Sequence, residues 1–424
     1  MTRARAMDVA PVRMDLPDPG LGRGWEASVL MGITLLLLAF GLVTLYSASM
    51  FVAHRLGEAD HFFVARQTAG GALGLVLMVA VARIPYGFWR RAAWPLLALS
   101  LAALLVLVLP GTEAIAPEWN GSRRWLRLGV TVQPSEFAKL TVIVWTAMMA
   151  VRKRDQFRSL GRGVAPFLTV WGLLLLPIVL QPDLSTALLV GLLGAIILFA
   201  AGCRVAHFVF LGAAASPVLL FLLTADYRRA RISSYLQQLA DPLAGSPEGS
   251  GYQFYQAMVA LGSGGVAGQG FGRGWQKFGF LPEPHNDFIF SMVGEEWGFV
   301  GVSALVLLYL ALTLVGFRVA RRAPDVFGQL LATGCASLVA LQAFLHMGVG
   351  VGLLPTTGLA LPLVSYGRSN LLVTLIALGL LMAVARETDA DWRPGVREAG
   401  RAPDLARRDR HVRRPGPVPG GRRA

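Results

Sequence analysis

Apolar runs of about 18 residues or more recur along this chain, each long enough for an α-helix to cross a bilayer core. They fall at roughly 27–47, 62–82, 92–110, 134–151, 164–180, 184–202, 205–224, 287–317, 327–351 and 361–385. A bilayer leaves backbone N–H and C=O groups no outside partner, so runs of this length are restricted to helices. The expected fold class is therefore all-α: a polytopic integral membrane protein with about ten transmembrane helices. A large outside loop, 225–286, is expected between spans seven and eight.

Charge agrees with that class. Only 15% of the 424 residues are charged and 54% are hydrophobic, where a soluble chain carries charge on about a quarter. The formal charge of +14 comes almost wholly from arginine in short loops and the last forty or so residues. That placement points to topology and anionic membrane lipids, not nucleic acid. Cys203 is expected near one membrane face and Cys335 within a span, which excludes a disulfide framework. The first apolar run is too long for a signal-peptide core and reads as a retained anchor.

Loop arginines set the orientation. Arg3, Arg5, Arg13 and Arg23, then Arg83, Arg90 and Arg91, then Arg152, Lys153, Arg154, Arg158 and Arg162, then Arg204, then Arg318, Arg321 and Arg322 fall in alternate loops. The positive-inside rule makes those loops, and both termini, cytoplasmic. Residues 1–24 read as a cytoplasmic leader and 25–385 as the membrane domain. Residues 386–424, rich in Pro, Gly and Arg, read as a disordered basic tail. The cations left on the outside face are Arg123, Arg124, Arg127, Arg228, Arg229, Arg231, Arg273, Lys277 and Arg368; together they suggest an anionic partner there.

The outside loop has structure of its own. "YRRARISSYLQQL" and "GYQFYQAMVAL" are amphipathic, and "GSGGVAGQGFGRG" leads from them to the carboxylate cluster "FLPEPHNDFIFSMVGEEWGF". A structureless loop of this length is uncommon, so the segment is expected to fold as a cap. The glycines are no nucleotide fingerprint, since no strand precedes them and no P-loop Lys-Ser pair follows.

With the amino terminus inside, every even-numbered span enters from outside, N-terminus first. These entrances carry "HFFVARQ", "QPSEFAKL", "QPDLSTA", "PHNDFIF" and "LPLVSYGRSN". Helix N-termini present unpaired N–H groups and a positive dipole end, favourable surroundings for anions. Arg66, Arg124, Glu136, Lys139, Gln181, Asp183 and Ser365 at or near these entrances are candidates for a phosphate-bearing substrate. Lys139, one of three lysines, lies about 8 Å into an apolar span. Glu136, three residues earlier, shares its face, so the two are either a self-neutralised pair or the lining of a cavity.

Asp287 reads in two ways. It is placed to cap the eighth span, and equally to act as a general base at the membrane boundary. Glu295 and Glu296 lie about 12 Å further along the helix. Acids at that depth need partners, and Lys139 or an arginine is the expected one. His285 and Glu283 read as rim residues, and no spacing nearby matches a metal site.

These blocks resemble a known family. "GYQ", "ALGSGG", "QKFGFLPE", "HNDFIF", "GEEWG" and "LPTTGLALPLVSYG", with "NGSRRWLRLG", "QPSEFAKL" and "QPDLSTA" before them, are similar to the SEDS (shape, elongation, division and sporulation) proteins, the FtsW/RodA group. The likeness covers about residues 25–385, and "QKFGFLPE" and "LPTTGL" look more like the division branch. The resemblance implies a peptidoglycan glycosyltransferase of the bacterial cytoplasmic membrane that polymerises lipid II for septal wall synthesis. It implies a class B penicillin-binding transpeptidase and other division proteins as partners. Asp287 falls on the family's catalytic aspartate. Arg66, Arg124, Glu136, Lys139 and Glu296 fall on polar positions lining or supporting its cavity. One departure is "SYGRSN", where the family usually has "SYGGSS"; Arg368 and Asn370 replace a glycine and a serine.

The chemistry implied is inverting transfer. Asp287 takes a proton from the acceptor sugar's 4-hydroxyl as that oxygen attacks the donor's anomeric carbon. Arginines, Lys139, helix ends or a divalent cation such as Mg or Mn then meet the charge growing on the lipid pyrophosphate. Two other readings stay open: a flippase or transporter of the lipid-linked sugar, and a non-catalytic division scaffold.

Overall fold

Each of the ten apolar runs is occupied by helix in a computed structural model of the chain, which describes residues 24–119, 121–224, 226–240 and 250–391. The leader, most of the tail and part of the outside loop fall outside the described residues. The helices are α1 (Trp25–Arg55), α2 (Phe62–Arg83), α3 (Tyr86–Val108), α4 (Pro134–Lys153), α5 (Ala165–Leu180), α6 (Leu184–Ala200), α7 (Val205–Leu223), α8 (Asp226–Ala240), α9 (Ser250–Ser263), α10 (Ile289–Arg322), α11 (Val326–Gly350) and α12 (Arg368–Asp391). Among the described residues, seven segments are long and apolar enough to cross a membrane: α1, α2, α3, α10, α11, α12, and α5 with the π turn (Leu160–Val164) before it. α6 and the first part of α7 are apolar but shorter.

The amphipathic stretches between α7 and α10 form helices α8 and α9, as their pattern predicts. A small departure from an all-α chain lies between α3 and α4. Strands β1 (Leu126–Leu128) and β2 (Val130–Val132) make an antiparallel hairpin, with Leu128 opposite Val130. Gly129, at φ 79°, makes the turn, a conformation that suits a residue without a Cβ.

Burial sorts the helices. α11 and α12 bury 72% of their apolar windows and α2 and α3 only 28%, which puts the former pair inside and the latter on the periphery. α4 is buried on nearly every face. It packs against α3, α6, α11 and α12, so it is a central post. Backbones approach closely where side chains are small: a Cβ on Gly379 of α12 would lie 2.6 Å from the Met78 carbonyl of α2. Small residues at membrane helix crossings permit such contacts. Along α7, Val209 is 68% and Phe221 75% exposed, as a lipid-facing helix requires.

Polar ties close the bundle away from Asp287. Glu26 on α1 accepts from Arg318 and Arg322 on α10, at 3.1 and 2.7 Å. Tyr86 on α3 donates its backbone N–H to Glu387 of α12 and its hydroxyl to Asp325 before α11.

α10 is not one continuous helix. Gly298 has φ 64° and ψ −162°, which no helix interior adopts. The glycine-rich stretch after α9 fills the break: Gln269 and Gly270 donate to the carbonyls of Glu295 and Glu296, while Phe299 and Val300 donate to Gly265 and Val266. Irregular backbone at membrane depth is tolerated only where its polar groups find such partners. A Cβ on Gly298 would lie 2.3 Å from the Gly268 nitrogen, so this contact admits no side chain. "GSGGVAGQG" is thus a backbone plug for a broken helix.

Candidate active site

One end of the bundle gathers the N-termini of α2, α4, α6, α10 and α12, the entrances expected from sequence. Gln67 of α2 donates to the Ser365 carbonyl and accepts from the Gly367 N–H. Ser365 donates its hydroxyl to the Asn286 carbonyl, and the Tyr366 N–H donates to His285. The Gln133 N–H before α4 donates to Ser369. These bonds seat the loop before α10 on the loop before α12.

Asp287 stands in that seat. α10 begins at Ile289, and its cap position, Phe288, makes no side-chain capping bond. The capping account of Asp287 is therefore not what the fold uses. Among the described residues its carboxylate makes no hydrogen bond. It lines a small void with Arg231, Gln253, His346, Thr356, Thr357 and Gly358. The void measures about 20 Å³, room for about one water. Burial, and then the charge of Glu283, raise the Asp287 pKa to about 6; Arg231 and Arg124 pull it back down. A carboxylate of that pKa is largely ionised at neutral pH and is more basic than a solvated one.

His285 differs from the expected rim position. Only 3% exposed, it packs between the tilted rings of Phe63 and Tyr366, with ring centroids 4.6 and 5.8 Å away. Burial lowers its pKa to about 4, so at neutral pH it is an uncharged wedge between α2 and α12. Glu283 is exposed, with φ 49°.

The other candidates form separate groups. Lys139 is fully buried and donates to Glu136 at 2.7 Å, and the second Glu136 oxygen accepts from Asn370 at 3.0 Å. This is the self-neutralised pair, closed inside the bundle without snorkelling. Asn370, one of the two departures in "SYGRSN", completes it. Arg368, the other, donates to Thr131 in the hairpin at 2.7 Å. Arg124 donates to the carbonyls of Gln181 and Pro182. Gln181 is buried and donates to Leu104, and Asp183 caps α6 through the Thr186 N–H. Arg66 is exposed and stacks on Phe62, 3.9 Å from the ring centroid.

Glu295 and Glu296 are both buried, but their partners are not the expected Lys139 or an arginine. Glu296 accepts from Lys277 at 2.8 Å and from Ser47 at 2.5 Å. Glu295 accepts the N–H groups of Trp275 and Gln276. The reason is the segment that follows the plug, which runs back along α10 and places Lys277 against Glu296. Lys277 therefore leaves the set of outside cations, and Arg123 is matched by Glu113 at 2.9 Å. Arg124 and Arg368 donate to neutral oxygens and keep their charge.

The sequence singled out neither His346 nor the Thr356–Thr357 pair as part of this site. A lone histidine in an apolar helix carries no spacing signal, and "PTTG" reads as a turn. Among the described residues no three His, Cys, Asp or Glu side chains converge as a metal cage, and the Asp287 void offers one carboxylate.

Comparison with known proteins places this arrangement. Residues 27–390 match the FTSW_RODA_SPOVE family model, described as cell cycle protein. The probable peptidoglycan glycosyltransferase FtsW of Geobacter sulfurreducens is 41% identical over 359 residues, 84% of this chain and 94% of that protein. Stage V sporulation protein E of Bacillus subtilis is 39% identical over 360 residues, 84% and 96% of the two chains. Among solved structures, the rod shape determining protein RodA of Thermus thermophilus is 29% identical with a TM-score of 0.60, covering 87% of this chain and 99% of its own. A chain from a peptidoglycan synthase complex that coordinates polymerization and crosslinking is 30% identical with a TM-score of 0.70, at the same coverage.

Proposed function

The chain belongs to the FtsW/RodA/SpoVE family and is a multi-pass membrane peptidoglycan glycosyltransferase, and on that premise we propose that Asp287 is the general base with which it builds glycan strands from lipid II. The observation that carries this reading is the Asp287 carboxylate itself. It caps no helix and makes no hydrogen bond among the described residues, yet it faces a polar void. A side chain held so has a stability cost and no structural task in view.

The acceptor's 4-hydroxyl gives its proton to Asp287 while its oxygen bonds to the donor's anomeric carbon. The bond from that carbon to the lipid pyrophosphate breaks on the opposite face, so configuration inverts. A base contributes about 10²–10⁴-fold. Pyrophosphate leaves without a strong acid, unlike the sugar oxygen displaced in glycoside hydrolysis. Its growing charge meets Arg124, Arg231 and the helix N-termini at this end of the bundle.

Loop arginines orient this end outward and both termini to the cytosol. The division branch, a septal location, a class B penicillin-binding protein and other division proteins as partners belong to the same proposal. The partner transpeptidase is supported by the likeness to a chain from a synthase complex. The test is polymerisation of labelled lipid II by purified protein with its cognate transpeptidase, wild type against Asp287→Asn. Glycan strands from wild type alone are expected; equal strands from both refute the base. Strands from neither favour the flippase or scaffold readings.

A further inference from the structure

A buried histidine stands in the wall of the void that Asp287 lines. His346 sits in α11, about one turn before its end, and is 2% exposed. It lines the same void as Asp287. Its Nδ1 lies 2.7 Å from the Leu359 carbonyl oxygen. A carbonyl only accepts, so Nδ1 carries the hydrogen and the ring is a donor to the turn before α12.

That turn lines the void opposite the carboxylate. "PTTGL" brings Thr356, Thr357 and Gly358 to the void. Gly358 has φ 71°, and a Cβ there would stand 3.9 Å from Asp287 Oδ2. The bond from His346 thus fixes the residue immediately after the glycine that faces the carboxylate. Further along, Ser365 accepts from the Leu361 N–H and donates to the Asn286 carbonyl, next to Asp287. The 359–365 segment is therefore tied to α11 at one end and to the loop carrying Asp287 at the other. Cut the first tie and the turn is free to move relative to the carboxylate, while the helices that bury His346 remain.

We propose that His346 is a positioning residue for the transfer reaction: its Nδ1–H clamps the Leu359 carbonyl and so sets the Thr356–Gly358 turn against Asp287. The proposal rests on Asp287 being the base. His346 acts through the turn and touches no reacting atom. Asparagine at 346 can donate its amide N–H to Leu359 from nearly the same place as Nδ1; leucine cannot.

The test is steady-state polymerisation of lipid II by the full-length protein with its transpeptidase, comparing wild type, His346→Leu and His346→Asn. The expected result for leucine is kcat lower by about tenfold, with KM for lipid II changed less than twofold. Asparagine should return kcat to within about threefold of wild type. Leucine matching wild type overturns the proposal, and so does asparagine being as impaired as leucine, because then the donated hydrogen is not what matters. A leucine variant that loses kcat only in proportion to folded protein, measured by thermal unfolding in detergent, also overturns it. Asp287→Asn is run alongside. Activity in that variant defeats the base, whereas the His346 clamp stands or falls on loss by leucine and rescue by asparagine.

Discussion

Asp287 is paid for in stability. Its pKa is about 6 in the folded protein against 3.8 when unperturbed, so the folded state holds the proton more tightly than the unfolded one. Its favourable contribution is complete below about pH 3.8 and is lost as pH rises through about 6. At pH 7.5 the half-buried carboxylate is a net cost. Asp287→Asn removes that cost and no hydrogen bond, so its thermal midpoint in detergent should be equal to or above wild type at pH 7.5, with the advantage vanishing toward pH 4. A capping aspartate would behave in the opposite way. The sequence made Asp287 legible as a carboxylate at a membrane boundary, but cap and base share the same residue types. Only the helix start at Ile289 separates them. His346 was invisible for a related reason: its partner is a carbonyl 13 residues away that no pattern encodes. The Glu136–Lys139 pair was readable because three residues along a helix share a face.

At the scale of elements, the plugged break in α10 makes two predictions. Gly298→Ala forces a Cβ into the Gly268 backbone at a positive φ. It should cost at least about 3 kcal/mol, seen as loss of monodisperse protein on size-exclusion in detergent. Lys277→Met leaves the buried Glu296 carboxylate unpaired, at a cost of about 3–5 kcal/mol. Adding Glu296→Gln should recover most of the lost thermal midpoint, because the remaining polar atoms are neutral; a double variant no better than the single contradicts the pairing. Helix positions were readable from the apolar runs, and α8 and α9 from their amphipathic pattern. The break was not, because Gly298 differs from other helix glycines only in the loop packed against it. The hairpin at 126–132 was hidden inside a stretch read for its arginines.

For the whole molecule, orientation was read from arginine alone, and both native cysteines are buried. Single cysteines therefore report topology cleanly. Asp60→Cys, exposed just before α2 at Asp287's end, should react with an impermeant maleimide on intact spheroplasts. Arg154→Cys, exposed at the far end of α4, should react only after permeabilisation. The reverse pattern would put the void in the cytosol and end the case for surface polymerisation. The bundle was legible at this scale because a bilayer permits so few alternatives. Which polar residues meet was less so, since partners such as Ser47 and Glu296 lie 249 residues apart.

The most direct test of the account is the pH dependence of lipid II polymerisation by wild type and Asp287→Asn, each with its transpeptidase. The rate of the wild type should rise about tenfold per unit below pH 6 and level off above it, as a single base of that pKa requires. The asparagine variant should be about 10²–10⁴-fold slower at pH 7.5, with that rise absent. A variant that keeps the wild-type rate and the same rise near pH 6 would show that another group takes the proton.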